Sequence, residues 1–376
     1  VGSHEAPDWC PLLSIGRGSG ILATELGMKL ADRGHDVHFI TSSIPFRLNA
    51  YHPNITFHQV EINQYSVFRY PPYDITLASK IASVIQAFGL DVIHAHYAVP
   101  HAVCAALGRE MAGTNIPIVS TLHGTDITVL GEDEELKPAI LYGLRQSNAI
   151  TAVSDSLRQE TLERIGSDLS IDVIHNFIDE SVYRPLDDSS LRERYGLTES
   201  DHVVIHVSNF RHVKRIDLVL EAFDRMDVPD KKLLLVGDGP LMGAMRRQVS
   251  ELSLEQDVIF AGKQEQVAEL LAISDVHVLL SDKEAFGLVA LEAMATGIPS
   301  VVSDAGGLPE VITDGAEGFV VARGDVAGAT KALENILLDK ALQMRLRENG
   351  LKRAKQFASA DIVSAYESLY ERVVRV

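Results

Sequence analysis

Two glutamates stand eight residues apart in the run Ser281-Asp282-Lys283-Glu284-Ala285-Phe286-Gly287-Leu288-Val289-Ala290-Leu291-Glu292. An apolar stretch ending near Leu280 reads as a strand, a loop holding Glu284 follows, and a helix is predicted to begin near Gly287. The predicted helix start falls between them, so only Glu292 lies on the helix. The pair therefore reads as one loop carboxylate and one helix carboxylate reaching different parts of one ligand. The helix start between them adds unpaired N–H groups and the positive end of the helix dipole, which together suit an anion. Taken alone, two such glutamates more often mean a solvated loop and an ordinary helix position.

A basic turn, Ser208-Asn209-Phe210-Arg211-His212-Val213-Lys214-Arg215, follows another strand pattern. Cations at a strand end can neutralise the charge that develops on an anionic leaving group, a task otherwise given to a metal. The chain contains no Asp-x-Asp triplet, so a metal clamp would lack its usual ligands. The bland alternative is a solvated turn. Val236-Gly237-Asp238-Gly239-Pro240 is a strand-to-helix turn with two glycines, a weak signal by itself. Earlier in the chain, His123 ends the strand-like run Thr121-Leu122-His123 and precedes Gly124. A lone histidine there is usually structural, and Asp126 is equally an N-cap or a chemical group. The turn Gly18-Ser19-Gly20 ahead of a helix could cradle a phosphate or a second substrate.

These residues need elements to hold them. In the first half, Val37–Thr41, Val92–His96, Ile118–Leu122, Ala149–Val153 and Ile171–His175 read as strands. Helices are expected over Ile21–Arg33, Leu77–Phe88 and His101–Met111. In the second half the strands are Val203–Ser208, Leu233–Gly237, Val258–Ala261, Val276–Leu280 and Ser300–Ser303, with helices such as Ile216–Arg225 and Leu288–Ala295. Continuous apolar strands alternating with helices specify parallel sheets covered on both faces, with ligands at the strand C-termini. Two such sheets in series give an α/β chain of two Rossmann-like domains. The expected bounds are 1–178 and 179–358, the link running through Asn176–Pro185, and a C-terminal helix over 359–376 is expected to cross back to the first domain. Pro7 and Pro11 interrupt the start, so the first strand is expected to be short, displaced or missing, with residues 1–17 packing poorly.

The Glu284–Glu292 segment, with Phe286-Gly287-Leu288 and Gly297-Ile298-Pro299 in place, resembles the E-x7-E signature of the retaining GT-B glycosyltransferases of family 4. The resemblance extends from about Gly18 to the C-terminus. It implies the GT-B fold, in which two such domains face a central cleft, and transfer of a sugar from a nucleotide donor. It places Glu284 beside the transferred sugar and Glu292 on the ribose of the nucleotide. It assigns Lys214 to the diphosphate, with Asn209 where the family has arginine and Arg211 as the substitute cation. Gly20, Gly237, Gln264, Phe286, Gly287 and Leu288 fall on donor-site positions, and His123 on the histidine beside the reacting sugar. The family loop has adjacent glycines where Arg17 intervenes here.

Further runs, including Thr41–Leu48, Asn63–Phe68, His94–Ala102 and Leu122–Gly131, resemble the branch of the family that joins N-acetylglucosamine from UDP-N-acetylglucosamine to L-malate at the start of bacillithiol synthesis. That resemblance implies an acceptor with two carboxylates, for which Ser19, Tyr97, Thr121 and Arg47 are candidate partners. It also implies a homodimer without a metal cofactor. Three alternatives remain: a family member with another acceptor, a UDP-N-acetylglucosamine 2-epimerase-like isomerase, and a catalytically silent nucleotide-sugar binder. Composition narrows the partners. A net charge of −18 over 376 residues disfavours nucleic acid and anionic membrane surfaces. Two cysteines suggest no disulfide framework. With neither a secretory pattern nor a membrane-length apolar run, the cytoplasm is the expected compartment.

Overall fold

Short β-branched runs become strands wherever helices can cover both of their faces. The computed structural model describes residues 11–14, 20–43, 51–61, 72–186 and 190–375. Contacts divide the chain into two units, Val1–Asn176 with Ala360–Val376, and Phe177–Ser359. The first holds seven parallel strands: β1 (Pro11–Ser14), β2 (Val37–Thr41), β3 (Ile55–Gln59), β4 (Val92–His96), β5 (Ile118–Leu122), β6 (Ala149–Ala152) and β7 (Ile171–Val173). Their order is β3-β2-β1-β4-β5-β6-β7. The second holds β8 (His202–Val207), β9 (Lys231–Val236), β10 (Val258–Gly262), β11 (Val276–Leu279), β12 (Ser300–Ser303) and β13 (Gly318–Val321), in the order β10-β9-β8-β11-β12-β13. The likeness to solved structures reported below makes this the GT-B fold.

The central strands β2, β4 and β5 are buried at every position, as expected of sheets covered on both sides. In the second unit, Val204, Leu233, Leu235, Val276, Val278 and Val301 meet Ile216, Val219, Leu220 and Phe223 of the helix Ile216–Arg225 and Leu333, Ile336 and Leu337 of Val326–Leu338. The first strand is present but short. Leu12 pairs with His38 on one side and Ile93 on the other, so β1 is central despite its four residues. The flanking segments 1–10 and 15–19 lie outside the described residues, so the expected poor packing of residues 1–17 is left as an expectation.

Two strands escaped the sequence reading. Both are edge strands whose residues are mostly half-buried: β3 (Ile-Thr-Phe-His-Gln) alternates apolar with polar residues, and β13 (Gly-Phe-Val-Val) is a short run that opens on glycine. β13 begins at Gly318 because a Cβ there would lie 2.1 Å from the Ser300 carbonyl oxygen.

The C-terminal helix, Ser359–Val374, belongs to the first unit. Its Tyr370 is fully buried, and its hydroxyl lies 2.7 Å from His94 Nδ1. On the other edge of that ring, Nε2 lies 2.7 Å from the Thr121 hydroxyl, which also meets Thr151 at 2.7 Å and Tyr366 at 3.4 Å. Glu367 accepts from His35 at 2.8 Å and pairs with Arg33. A helix distant in sequence is thus joined to the sheet by buried hydrogen bonds, which are costly to leave half-made.

The strands also bury histidines. Desolvation pushes His94 and His277 down to about 3 and His58 and His206 to about 4, and lowers His38, His96 and His101 as well. Their folded pKa values lie below the unfolded value, so the unfolded chain binds more protons as pH falls through about 6.5. The stability that these neutral rings permit is complete above that pH and is lost progressively toward about 3. The denaturant midpoint is expected to fall from pH 7 to 5, before most carboxylates titrate. A midpoint unchanged over that window would contradict this account.

Candidate functional site

Doubly wound sheets leave a crevice where the strand order reverses, beyond the strand C-termini. In the second unit that reversal separates β8 from β11. Lys214 lies in the tight turn His212–Lys214 after β8, and Glu284 lies in the loop after β11. Lys214 Nζ donates to Glu284 Oε2 at 2.6 Å, with the two side chains only 19% and 16% exposed. The family resemblance assigned one of these groups to a diphosphate and the other to a sugar. The structure makes them partners.

Neighbouring groups fix this pair. Asp282 N–H donates to the Val213 carbonyl at 2.9 Å, tying the two loops together. Arg215 is held by Asp217 at 2.8 Å and by Asp282 at 3.4 Å, so it is already engaged on the flank. The Glu284 carbonyl accepts from Gly307 N–H at 2.9 Å. Gly306 has φ +52, and a Cβ there would stand 1.9 Å from that carbonyl oxygen. Ser303 then donates to the Ser281 carbonyl at 2.6 Å. The carboxylate-bearing loop is braced by the segment that follows β12.

The glycine turn after β9 shows the same close approach. A Cβ on Gly237 (φ +125) would lie 1.8 Å from the Ser208 carbonyl oxygen, and one on Gly239 2.7 Å from the Phe210 backbone nitrogen. Gly237 thereby positions the segment that carries Asn209 and Arg211, both of which are exposed. Gly287 (φ +96) caps the helix Leu288–Thr296. Leu288 and Glu292 of that helix are half-buried. Gln264 donates to the Ala261 carbonyl at 2.6 Å. Phe286 differs from the expectation: its ring is 2% exposed and packs edge-on against Phe357 at 5.8 Å. Its side chain is core, because the loop must bury an anchor to hold Glu284 at its neck.

The first unit reverses strand order between β1 and β4. His123, one residue past β5, is half-buried, and its Nε2 lies 2.9 Å from Nδ1 of His96 at the end of β4. Tyr97 follows, with φ +81, a conformation that a bulky residue adopts only where the surroundings impose it. Its ring centroid is 5.2 Å from that of His123. Asp126 is neither an N-cap nor exposed. It is fully buried, accepting from Gly124 N–H at 3.0 Å and Ala98 N–H at 3.1 Å, and desolvation raises its pKa to about 6. It joins the His123 loop to the Tyr97 loop. Desolvation also depresses His123, to about 3.

The Thr121 hydroxyl, expected to face an acceptor, points into the buried network with His94, Thr151 and Tyr366. Gly20 opens the helix Gly20–Asp32. Ser19 and Arg47 lie outside the described residues. The sequence reading missed His96, although the pattern His94-Ala95-His96, two rings on alternate residues of an apolar strand, was its signal.

Comparison with known proteins agrees with both halves. Residues 16–182 match the model "Glycosyltransferase Family 4", and residues 187–353 match "Glycosyl transferases group 1". The chain is 51% identical to N-acetyl-alpha-D-glucosaminyl L-malate synthase of Bacillus anthracis, over 96% of this chain and 95% of that one. This chain belongs to the family 4 glycosyltransferases. Its fold is also that of sucrose-phosphate synthase from Thermosynechococcus elongatus, with TM-score 0.81 and 21% identity over 97% of this chain and 99% of that one. Anabaena HepE, solved with UDP and glucose, superposes with TM-score 0.82 at 21% identity, covering 97% of this chain and all of that one. Among the described residues no helix is long and apolar enough to cross a membrane, and no cluster of three or more His, Cys, Asp or Glu is grouped to hold a metal ion.

The brace on the Glu284 loop can be tested directly. Gly306→Ala adds one methyl group where the backbone has no room and where φ is positive. It is expected to lower stability by more than about 1 kcal/mol and to cut activity strongly. A variant with an unchanged melting temperature and full activity would show that Gly306 is dispensable.

Proposed function

We propose that this chain transfers N-acetylglucosamine from UDP-N-acetylglucosamine to L-malate and retains the anomeric configuration. The observation that carries this reading is the 51% identity, over nearly the whole of both chains, to a synthase named for that product. The arrangement at the switch point of the second unit supports the chemistry. The bond from the anomeric carbon to the donor phosphate breaks, and UDP leaves with the bonding pair. Lys214, at a strand end, meets the charge that develops on the diphosphate, with Arg211 and Asn209 on the exposed turn beside it. Glu284 contacts the transferred sugar and Glu292 the ribose. A new bond forms from the malate hydroxyl oxygen to the anomeric carbon, on the face that the phosphate leaves. A donor phosphate oxygen takes the hydroxyl proton, and no metal takes part. A double displacement would instead require a carboxylate beneath the anomeric carbon. His123 lies beside the reacting sugar. Ser19, Tyr97 and Arg47 serve the malate carboxylates, a set that leaves out the Thr121 hydroxyl because it is engaged in the core. A cytoplasmic homodimer completes the proposal, with sedimentation as its measure.

Incubation with UDP-N-acetylglucosamine, with and without L-malate and EDTA, tests the reaction. The expected product is the glycosyl malate with the α configuration, formed equally with EDTA present. Epimerised donor made without malate would point to an isomerase, and abolition by EDTA would overturn the metal-free account.

The ion pair makes the two glutamates separable. Lys214→Ala is expected to weaken UDP binding by roughly 10- to 100-fold, the worth of one charged hydrogen bond. Glu284→Gln removes a negative charge beside Lys214, so UDP should bind at least as tightly while transfer falls about 10²–10³-fold. Glu292→Gln should instead raise the UDP dissociation constant. Calorimetry beside steady-state kinetics reads all three. Equal loss of UDP affinity in both glutamate variants would refute the division.

A further inference from the structure

Four histidines gather along β4 and just past the ends of β4 and β5. The rings of His94 and His96 stack at 4.2 Å, and those of His96 and His123 at 5.1 Å. His101 donates from Nδ1 to the His96 carbonyl at 2.5 Å. Burial keeps these rings neutral. A neutral imidazole carries one N–H, so the 2.9 Å contact between His96 Nδ1 and His123 Nε2 holds a single proton.

The far edge of His96 decides which ring owns that proton. His96 Nε2 is buried and has no hydrogen-bond partner among the described residues. If His123 donated, His96 would carry its own proton on Nε2, a buried N–H without an acceptor. If His96 donates from Nδ1, its Nε2 keeps only a lone pair. Orphaned buried N–H groups are the rarer and more costly case. We infer that His96 donates from Nδ1 to His123 Nε2 and so fixes His123 in the tautomer protonated at Nδ1. No described residue bonds Nδ1 of His123, and that atom is not sealed from solvent. His123 thus meets a ligand as a neutral hydrogen-bond donor, suited to a sugar hydroxyl or a carboxylate, and not as a base. His96 is a positioning residue that acts through His123. The consequence for catalysis rests on the transferase reading above, while the tautomer does not.

Long-range proton–nitrogen correlation on ¹⁵N-histidine-labelled protein reads the tautomer without any activity. His123→Gln identifies the signals by their loss. The expected pattern for His123 is a protonated Nδ1 and a bare Nε2, and a protonated Nε2 in the wild-type chain would overturn the inference. His96→Leu is expected to release His123 to a mixture of tautomers. Transfer should then fall about tenfold, the worth of one hydrogen bond, with UDP affinity held within about twofold. His96→Asn, whose amide can donate from nearly the same place, should restore both the tautomer and most of the rate. A His96→Leu protein that keeps the Nδ1–H tautomer and full activity would also refute the inference. A wild-type chain with the Nδ1–H tautomer but no transfer to malate would support the inference and remove only the malate reading.

Discussion

Parallel strands buried on both faces leave their ends as the place where polarity can be put to use. A charge in the middle of β4 or β11 would face desolvation from helices on either side. Strand ends escape that cost, and the reversal of strand order leaves a gap between neighbouring crossovers. The polar groups described above follow from this constraint. Lys214 and Glu284 lie in the loops that follow neighbouring strands in the second unit. His96 and His123 end neighbouring strands in the first. Each pair is far apart in sequence and is brought within hydrogen-bond distance by a strand register.

The glycines make that placement tight. Gly237, Gly239 and Gly306 each sit where a Cβ would collide with the backbone of a neighbouring loop. They let loops that carry functional side chains rest on one another at backbone distance, which restricts the freedom those side chains would have on open loops. Phe286 does the same from within. Its buried ring anchors the chain two residues past Glu284. The result is a half-buried ion pair whose members hold each other in place.

The first unit is held by polar bonds as much as by apolar packing. The chain Tyr370–His94–Thr121–Thr151 crosses from the C-terminal helix to the middle of the sheet, and Glu367 meets Arg33 and His35 at its edge. Buried hydroxyls and neutral imidazoles satisfy one another in this way only while every partner stays within hydrogen-bond distance. That requirement selects a single seat for the helix, whereas apolar packing alone would tolerate small shifts.

Much of this architecture was legible in the sequence. The runs Val37–Thr41, Val92–His96, Ile118–Leu122 and Ser300–Ser303 were found to the residue, because strands buried on both faces show as short runs rich in β-branched and apolar residues. The Glu284–Glu292 spacing and the basic turn were equally visible, since local chemistry is written locally. The edge strands β3 and β13 were not: β3 interleaves threonine, histidine and glutamine with its apolar residues, and β13 is only four residues long and opens on glycine. Nor was the direction in which a side chain points. Thr121 reads as a strand-end hydroxyl open to a ligand, and only its neighbours Tyr366 and Thr151 draw it into the core. Asp126 reads equally as an N-cap or a chemical group, and only the Ala98 amide reveals it as a buried tie. The pairing of Lys214 with Glu284 was hidden for the same reason. Sequence patterns record what each segment must bury, whereas a partner across the sheet is set by strand order and register, which no single segment encodes.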